Sequence, residues 1–285
     1  MTAFVSKALL PIVLGFVMLG MGLALEGDDF RRVARRPRDA ALGLVLQLGL
    51  LPLLALGLLA ALPLQPMAAA GLFLVALCPG GATSNLFSFL ARGDLALSVT
   101  LTAMVSLLAP FTLPLVFLAW VGASGLDLPS FQMSLGPAIG QLAVVTFLPV
   151  ALGMGFRRWS PARAQAAQPW VKRASTVAMV GVVAALMVVH REAMWHNLGW
   201  NAVAVLALST CSLALGHLIG GMAASGPAAQ RTIAIEVGVQ NAGTAMMVAL
   251  SILDAPALSE VPLLYGLLMN VPAFAFVGAM LSRQP

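Results

Sequence analysis

Apolar stretches near 20 residues long follow one another along the whole chain, with almost no charge inside them. Of 285 residues, 60% are hydrophobic and 9% are charged, where soluble domains have about a quarter charged. A helix needs roughly 20 apolar residues to cross a hydrocarbon core, so the repetition predicts an all-α polytopic membrane protein. The short alternating segments of a transmembrane barrel do not fit it. Nine spans are expected, at about 8–25, 39–62, 67–91, 94–121, 130–156, 169–189, 197–223, 227–252 and 258–281. Ala8–Leu25 is read as a retained span, because only Lys7 precedes it and no small-residue cleavage site follows before Glu26. Pro110 and Pro114 should tilt or kink the long fourth span. Cys78 and Cys211 both fall inside apolar segments, which argues against a disulfide framework.

The basic residues test the span count. One set of connections holds Arg31, Arg32, Arg35, Arg36, Arg38, Arg92, Arg157, Arg158, Arg163, Lys172, Arg173, Arg231 and Arg283, and the other holds only Lys7 and Arg191. Positive charge accumulates on the cytoplasmic side, so the N-terminus is expected outside and the C-terminus in the cytoplasm of a cell (inner) membrane protein. Residues 26–38 and 157–168 read as basic cytoplasmic loops. The basic pI is thereby assigned to topology and not to nucleic acid.

Two spans contain polar breaks. Cys78-Pro79-Gly80-Gly81-Ala82-Thr83-Ser84-Asn85 interrupts the third, and Glu236-Val237-Gly238-Val239-Gln240-Asn241 the eighth. Proline removes a backbone donor and glycine makes helical order costly, so both stretches should unwind. At membrane depth that is tolerated only where protein or a wet cavity satisfies the freed groups. Paired breaks, one in each half of a chain, point to a transporter's binding site. The halves are expected at about 8–122 and 130–281, as an inverted repeat. Glu236 is the one acidic residue placed deep in a span, where a charge costs about 2.5–3.5 kcal/mol or more, so it reads as functional. With Gln240, Asn241 and the freed carbonyls of Val237 and Val239 it forms an oxygen-rich nest suited to a small hard cation. Ser84 and Asn85 stand where the first interrupted helix resumes, which is also N-cap chemistry. Ser98 and Thr102 share a helix face, and Gln47 is an uncharged donor mid-way through the second span. No thiolate or histidine pair stands at metal spacing, so Na⁺ or a proton fits better than zinc or copper. His190, His196 and His217 are read as interfacial or packing residues. No nucleophile–base set or phosphate loop is found, so the chain is not read as an enzyme.

Ala76–Asn85, Leu90–Thr102 and Glu236–Asn241, in that order and spacing, resemble the bile acid:sodium symporter family. The resemblance implies a core domain with two crossing broken helices (about 67–122 and 197–281) beside a panel domain made of the remaining helices. It implies one Na⁺ site from Ser84, Asn85, Ser98, Thr102 and Glu236. A second would come from Gln47, Glu236, Val237, Val239 and Gln240, the valines acting through carbonyls. Ala82, Thr83, Asn241 and Asn270 would border the substrate. The implied partners are a small organic anion, Na⁺ and membrane lipid, with no cofactor beyond two co-transported Na⁺. Ala82-Thr83 and Met269 depart from the family pattern beside the substrate cleft. The expected function is sodium-coupled uptake of an organic anion, bile-acid-like or a small carboxylate such as pantoate, by alternating access. The alternatives are a proton-coupled anion carrier and an arsenite-type efflux permease using Cys78.

Overall fold

The computed structural model describes residues 5–29, 31, 37–126, 135–196 and 198–282. In chain order its helices are Leu10–Ala24 (α1), Pro37–Ala61 (α2), Pro66–Ala76 (α3), Ala82–Leu90 (α4), Leu95–Ser124 (α5) and Leu135–Trp159 (α6). Pro161–His196 (α7), Leu198–Ala223 (α8), Pro227–Gly238 (α9), Ala242–Ile252 (α10) and Pro256–Ser282 (α11) complete them. The chain therefore forms the all-α polytopic class expected of it. Among the described residues, seven helical segments (α1 extended back to Lys7, α2, α5, α6, α7, α8 and α11) are long and apolar enough to cross a membrane. The expected third and eighth spans are pairs of half-helices, α3/α4 and α9/α10, divided by irregular backbone at the expected breaks.

Sequence chemistry sets the ends. Proline opens α2, α3, α7, α9 and α11, where its missing N–H would have had no partner anyway. Asp94 caps α5 by accepting from the Leu97 N–H at 3.1 Å, and Gly125, at φ +63°, ends that helix in the left-handed conformation. Pro110 and Pro114 lie within α5 without interrupting it.

Three other prolines leave a clearer mark. Pro11, Pro52 and Pro149 each stand two residues beyond a π-helical turn, at Val5–Leu9, Leu46–Leu50 and Ala143–Phe147. In the latter two, the N–H just before the proline reaches back five residues, from Leu51 to the Leu46 carbonyl and from Leu148 to that of Ala143. A proline clashes with the carbonyl four residues before it, and the wider turn relieves the clash.

The expected loop at 157–168 is absent: only Ser160 separates α6 from α7. Pro161 starts the helix, and the alanine-rich segment after it favours helix strongly enough to run through Pro169. Arg32, Arg35, Arg36 and Arg283, the junction at 127–134 and the side chains of His190 and His196 lie outside the described residues. His217 is half-buried, with Gln230 donating to its carbonyl at 3.0 Å and Phe276 edge-on at 5.4 Å.

Helix α1 packs on α6 and α7. Glycine allows the approach, since a Cβ on Gly153 would stand 2.7 Å from the Leu19 carbonyl oxygen. Helix α2 packs on α3, α5, α8 and α9, and so stands with the helices around the breaks. That packing departs from the expected panel placement of the second span, and it brings Gln47 inward. The two breaks meet: Gly80 and Gln240 form a short antiparallel bridge, and the Asn241 N–H donates to the Pro79 carbonyl at 2.8 Å. Each interruption thus satisfies backbone groups that the other has freed.

Candidate functional site

Glu236 lies on the last turn of α9, 4% exposed. Its carboxylate reaches across to α5, where Ser98 Oγ donates to Oε1 at 2.6 Å and Thr102 Oγ1 donates to Oε2 at 2.7 Å. One helical turn separates the two hydroxyls, so a single face of α5 meets both carboxylate oxygens. Ser98 Oγ also stands 2.7 Å from Asn85 Oδ1. One hydroxyl proton cannot serve both oxygens, so acceptors outnumber donors here. Ser84 lies 3.5 Å from Thr102 Oγ1 and donates to the Gly81 carbonyl at 2.7 Å.

The alternative reading of Ser84 and Asn85 as helix caps is not what the structure has. Helix α4 begins at Ala82, with Gly81 as its cap residue, which places both side chains inside the first turn. They are left to join the cluster instead. Gly80 is the residue that makes room: a Cβ there would lie 2.7 Å from Glu236 Oε2 and 3.1 Å from Ser84 Oγ.

A second cluster adjoins the first. The π-helical turn of α2 presents Gln47, whose Nε2 donates to Gln240 Oε1 at 2.6 Å and to the Cys78 carbonyl at 3.1 Å. Gln240 Nε2 in turn donates to the carbonyls of Val237 (2.8 Å) and Glu236 (3.2 Å). Val239 is buried and extended in the break. The Gln47 Oε1 atom is buried without a hydrogen-bond donor, and a cation would satisfy such an oxygen. Both donor sets consist of carboxylate, hydroxyl, amide and carbonyl oxygens, the chemistry of a hard cation. No group of three or more His, Cys, Asp or Glu poised for a transition metal occurs among the described residues.

Ala82, Thr83, Asn241 and Asn270 line one cavity of about 370 Å³, together with Gly81 and Met269. Asn241 caps α10 by accepting from the Thr244 N–H at 3.2 Å, and Asn270 donates to the carbonyls of Gly266 and Leu267. All thirteen residues named from the sequence as candidate contacts therefore lie at the crossing or along the cavity beside it. Two contributors went unnamed. The Gly238 carbonyl, freed by the break, accepts from Ser209 Oγ and from Tyr265 Oη, each at 3.0 Å. A signal existed: Tyr265 is the single tyrosine and sits within a span, where a buried hydroxyl needs a partner.

Interrupted helices that cross over a buried oxygen cluster, in a chain of membrane-spanning helices, define a membrane transporter and not an enzyme. The sequence profile of the Sodium Bile acid symporter family matches residues 11–197, well over half of the chain, and the chain belongs to that family. It is 35% identical over 263 residues to an uncharacterized sodium-dependent transporter, YocS, of Bacillus subtilis, covering 89% of this chain and 76% of that one. It is 29% identical to a sodium-dependent organic anion transporter of Mus musculus, covering 81% of this chain and 61% of the relative. With the ileal sodium/bile acid cotransporter of Homo sapiens it shares 25% identity, over 96% and 79% of the two chains.

Proposed function

We propose that this protein is a Na⁺-coupled symporter that imports an organic anion by alternating access. The carrying observation is the buried Glu236 carboxylate, held by Ser98 and Thr102 beside the gap at Gly80. One Na⁺ binds there, with Ser84 and Asn85 completing the shell. A second binds among Gln47, Gln240 and the carbonyls of Glu236, Val237 and Val239, where the unpartnered Gln47 oxygen supports the assignment.

Sodium neutralises the buried carboxylate and draws α4, α5 and α9 into one geometry. The substrate's acid group then binds in the cavity bordered by Ala82, Thr83, Asn241 and Asn270, near the N-terminal N–H groups of α4. Helices α1, α6 and α7 form the panel against which the remaining helices move. The arginine-rich ends face the cytoplasm, which puts the N-terminus outside. With two Na⁺ per monoanion, one net charge enters per cycle, adding about 2.3 kcal/mol of drive per 100 mV. The arsenite alternative is less well supported, because the Cys78 thiol is buried and donates to the Leu74 carbonyl in the last turns of α3.

The test is uptake of labelled cholate, pantoate and pyruvate into proteoliposomes under an inward Na⁺ gradient, with choline as the comparison. Uptake of at least one anion should require Na⁺, and Glu236→Gln should abolish it while leaving a monodisperse protein. Equal uptake in choline overturns sodium coupling, and dependence on a pH gradient alone selects the proton-coupled carrier.

A further inference from the structure

A second cavity, of about 450 Å³, adjoins the first and shares Val17, Ala82 and Thr176 with it. Besides Leu95 and Val99 of α5, three helix faces wall it. Val17, Gly20, Met21 and Ala24 recur at helical spacing along α1, and Ala82, Asn85, Leu86 and Phe89 do so along α4. The third face, on α7, is different in kind: Gln168, Lys172, Ser175 and Thr176 make a polar stripe that passes into apolar Met179 and Val183 at the crossing. Lys172 is the one charged residue lining either cavity. It stands about 16 Å along α7 from Pro161, at 1.5 Å per residue, and so is well inside the helix. No carboxylate pairs with its ammonium among the described residues. Its neighbour Arg173 is committed elsewhere, over the Trp170 ring at 5.9 Å.

We propose that Lys172 is a selectivity residue that receives the substrate's acid group as it leaves the crossing toward the arginine-rich end. Lys172 is exposed, and an unpaired cation lining an otherwise uncharged, largely apolar cavity attracts anions and penalises cations, with charge-assisted contacts outweighing neutral ones there. Gln168 and Ser175, one turn to either side, extend the polar stripe along which that group travels. The proposal rests on the anion-symport reading above and adds a counter-charge on the panel side to it.

The test uses full-length protein with cholate, octanoate and pyruvate as probes, read by anion-induced thermal stabilisation in detergent and by uptake in proteoliposomes. Lys172→Gln should raise the apparent KM of the transported anion about tenfold, Lys172→Arg should stay near wild type, and Lys172→Glu should abolish uptake. Stabilisation by Na⁺ alone should be the same in all four proteins, since no sodium contact is touched. An unchanged KM in Lys172→Gln overturns the proposal. So does an equal loss in the Arg and Gln variants, which marks a packing role, or a lack of response of the wild type to all three anions. Cholate uptake that persists in choline overturns sodium coupling instead, and the comparison between Lys172 and Gln in that medium still decides the role of this residue.

Discussion

At the scale of single residues, Gly80 matters as much as the oxygens around it. The gap beside Glu236 exists because position 80 has no side chain. Gly80→Ala should push a methyl group into the space between Glu236 Oε2 and Ser84 Oγ and cost about 1–3 kcal/mol, as overpacking does. It should also remove the stabilisation that added Na⁺ confers. Thermal melts with and without Na⁺ check both effects, and an undiminished sodium response would show that the gap is not where the ion binds. The oxygen cluster was legible from the sequence because a carboxylate inside a span is too costly to be incidental, and its neighbours could be read from the breaks. The partners of the Gly238 carbonyl were not legible, because Ser209 and Tyr265 come from helices whose docking only tertiary packing decides. Lys172 was hidden for another reason: a lysine among arginines at a span's end reads as topology, and only the turn of α7 points it to the cavity.

At the scale of elements, two kinds of proline stand out. Those at helix starts could be recognised from the sequence as starts. Pro11, Pro52 and Pro149 lie inside apolar runs, and each instead follows a π-helical turn. The kink anticipated at Pro110 and Pro114 drew attention to the fourth span, yet α5 passes both without such a turn. The consequence for the site runs through Gln47, which lies in the widened turn before Pro52. Pro52→Ala supplies the missing N–H to the Leu48 carbonyl and should restore regular α-helix. Gln47 would then rotate away from the Cys78 carbonyl and Gln240, so apparent Na⁺ affinity should fall severalfold while the thermal midpoint does not drop. A sodium titration of uptake, paired with a melt, separates these outcomes. Unchanged sodium affinity would mean that the turn does not set the position of Gln47.

At the scale of the whole molecule, a pair of exposed groups spans nearly the full sequence. Lys7 Nζ bonds Asp254 Oδ2 at 2.8 Å, joining the start of the chain to the connection between α10 and α11. Both side chains are more than half exposed, so the pair should contribute little: Lys7→Ala should shift the melting temperature by less than about 2 °C. A larger shift would identify it as a fastening between the two helix groups. The stronger tie lies deep inside, where Gly80 and Gln240 pair and Asn241 bonds Pro79. During synthesis the ribosome must make residues 81–239 before those bonds can close. The first interrupted segment therefore enters the bilayer with its polar backbone provisionally housed, and it matures only when the second arrives. A nascent chain halted before Pro227 is thus a half-finished lock, the kind of intermediate that insertion chaperones and membrane proteases are placed to inspect.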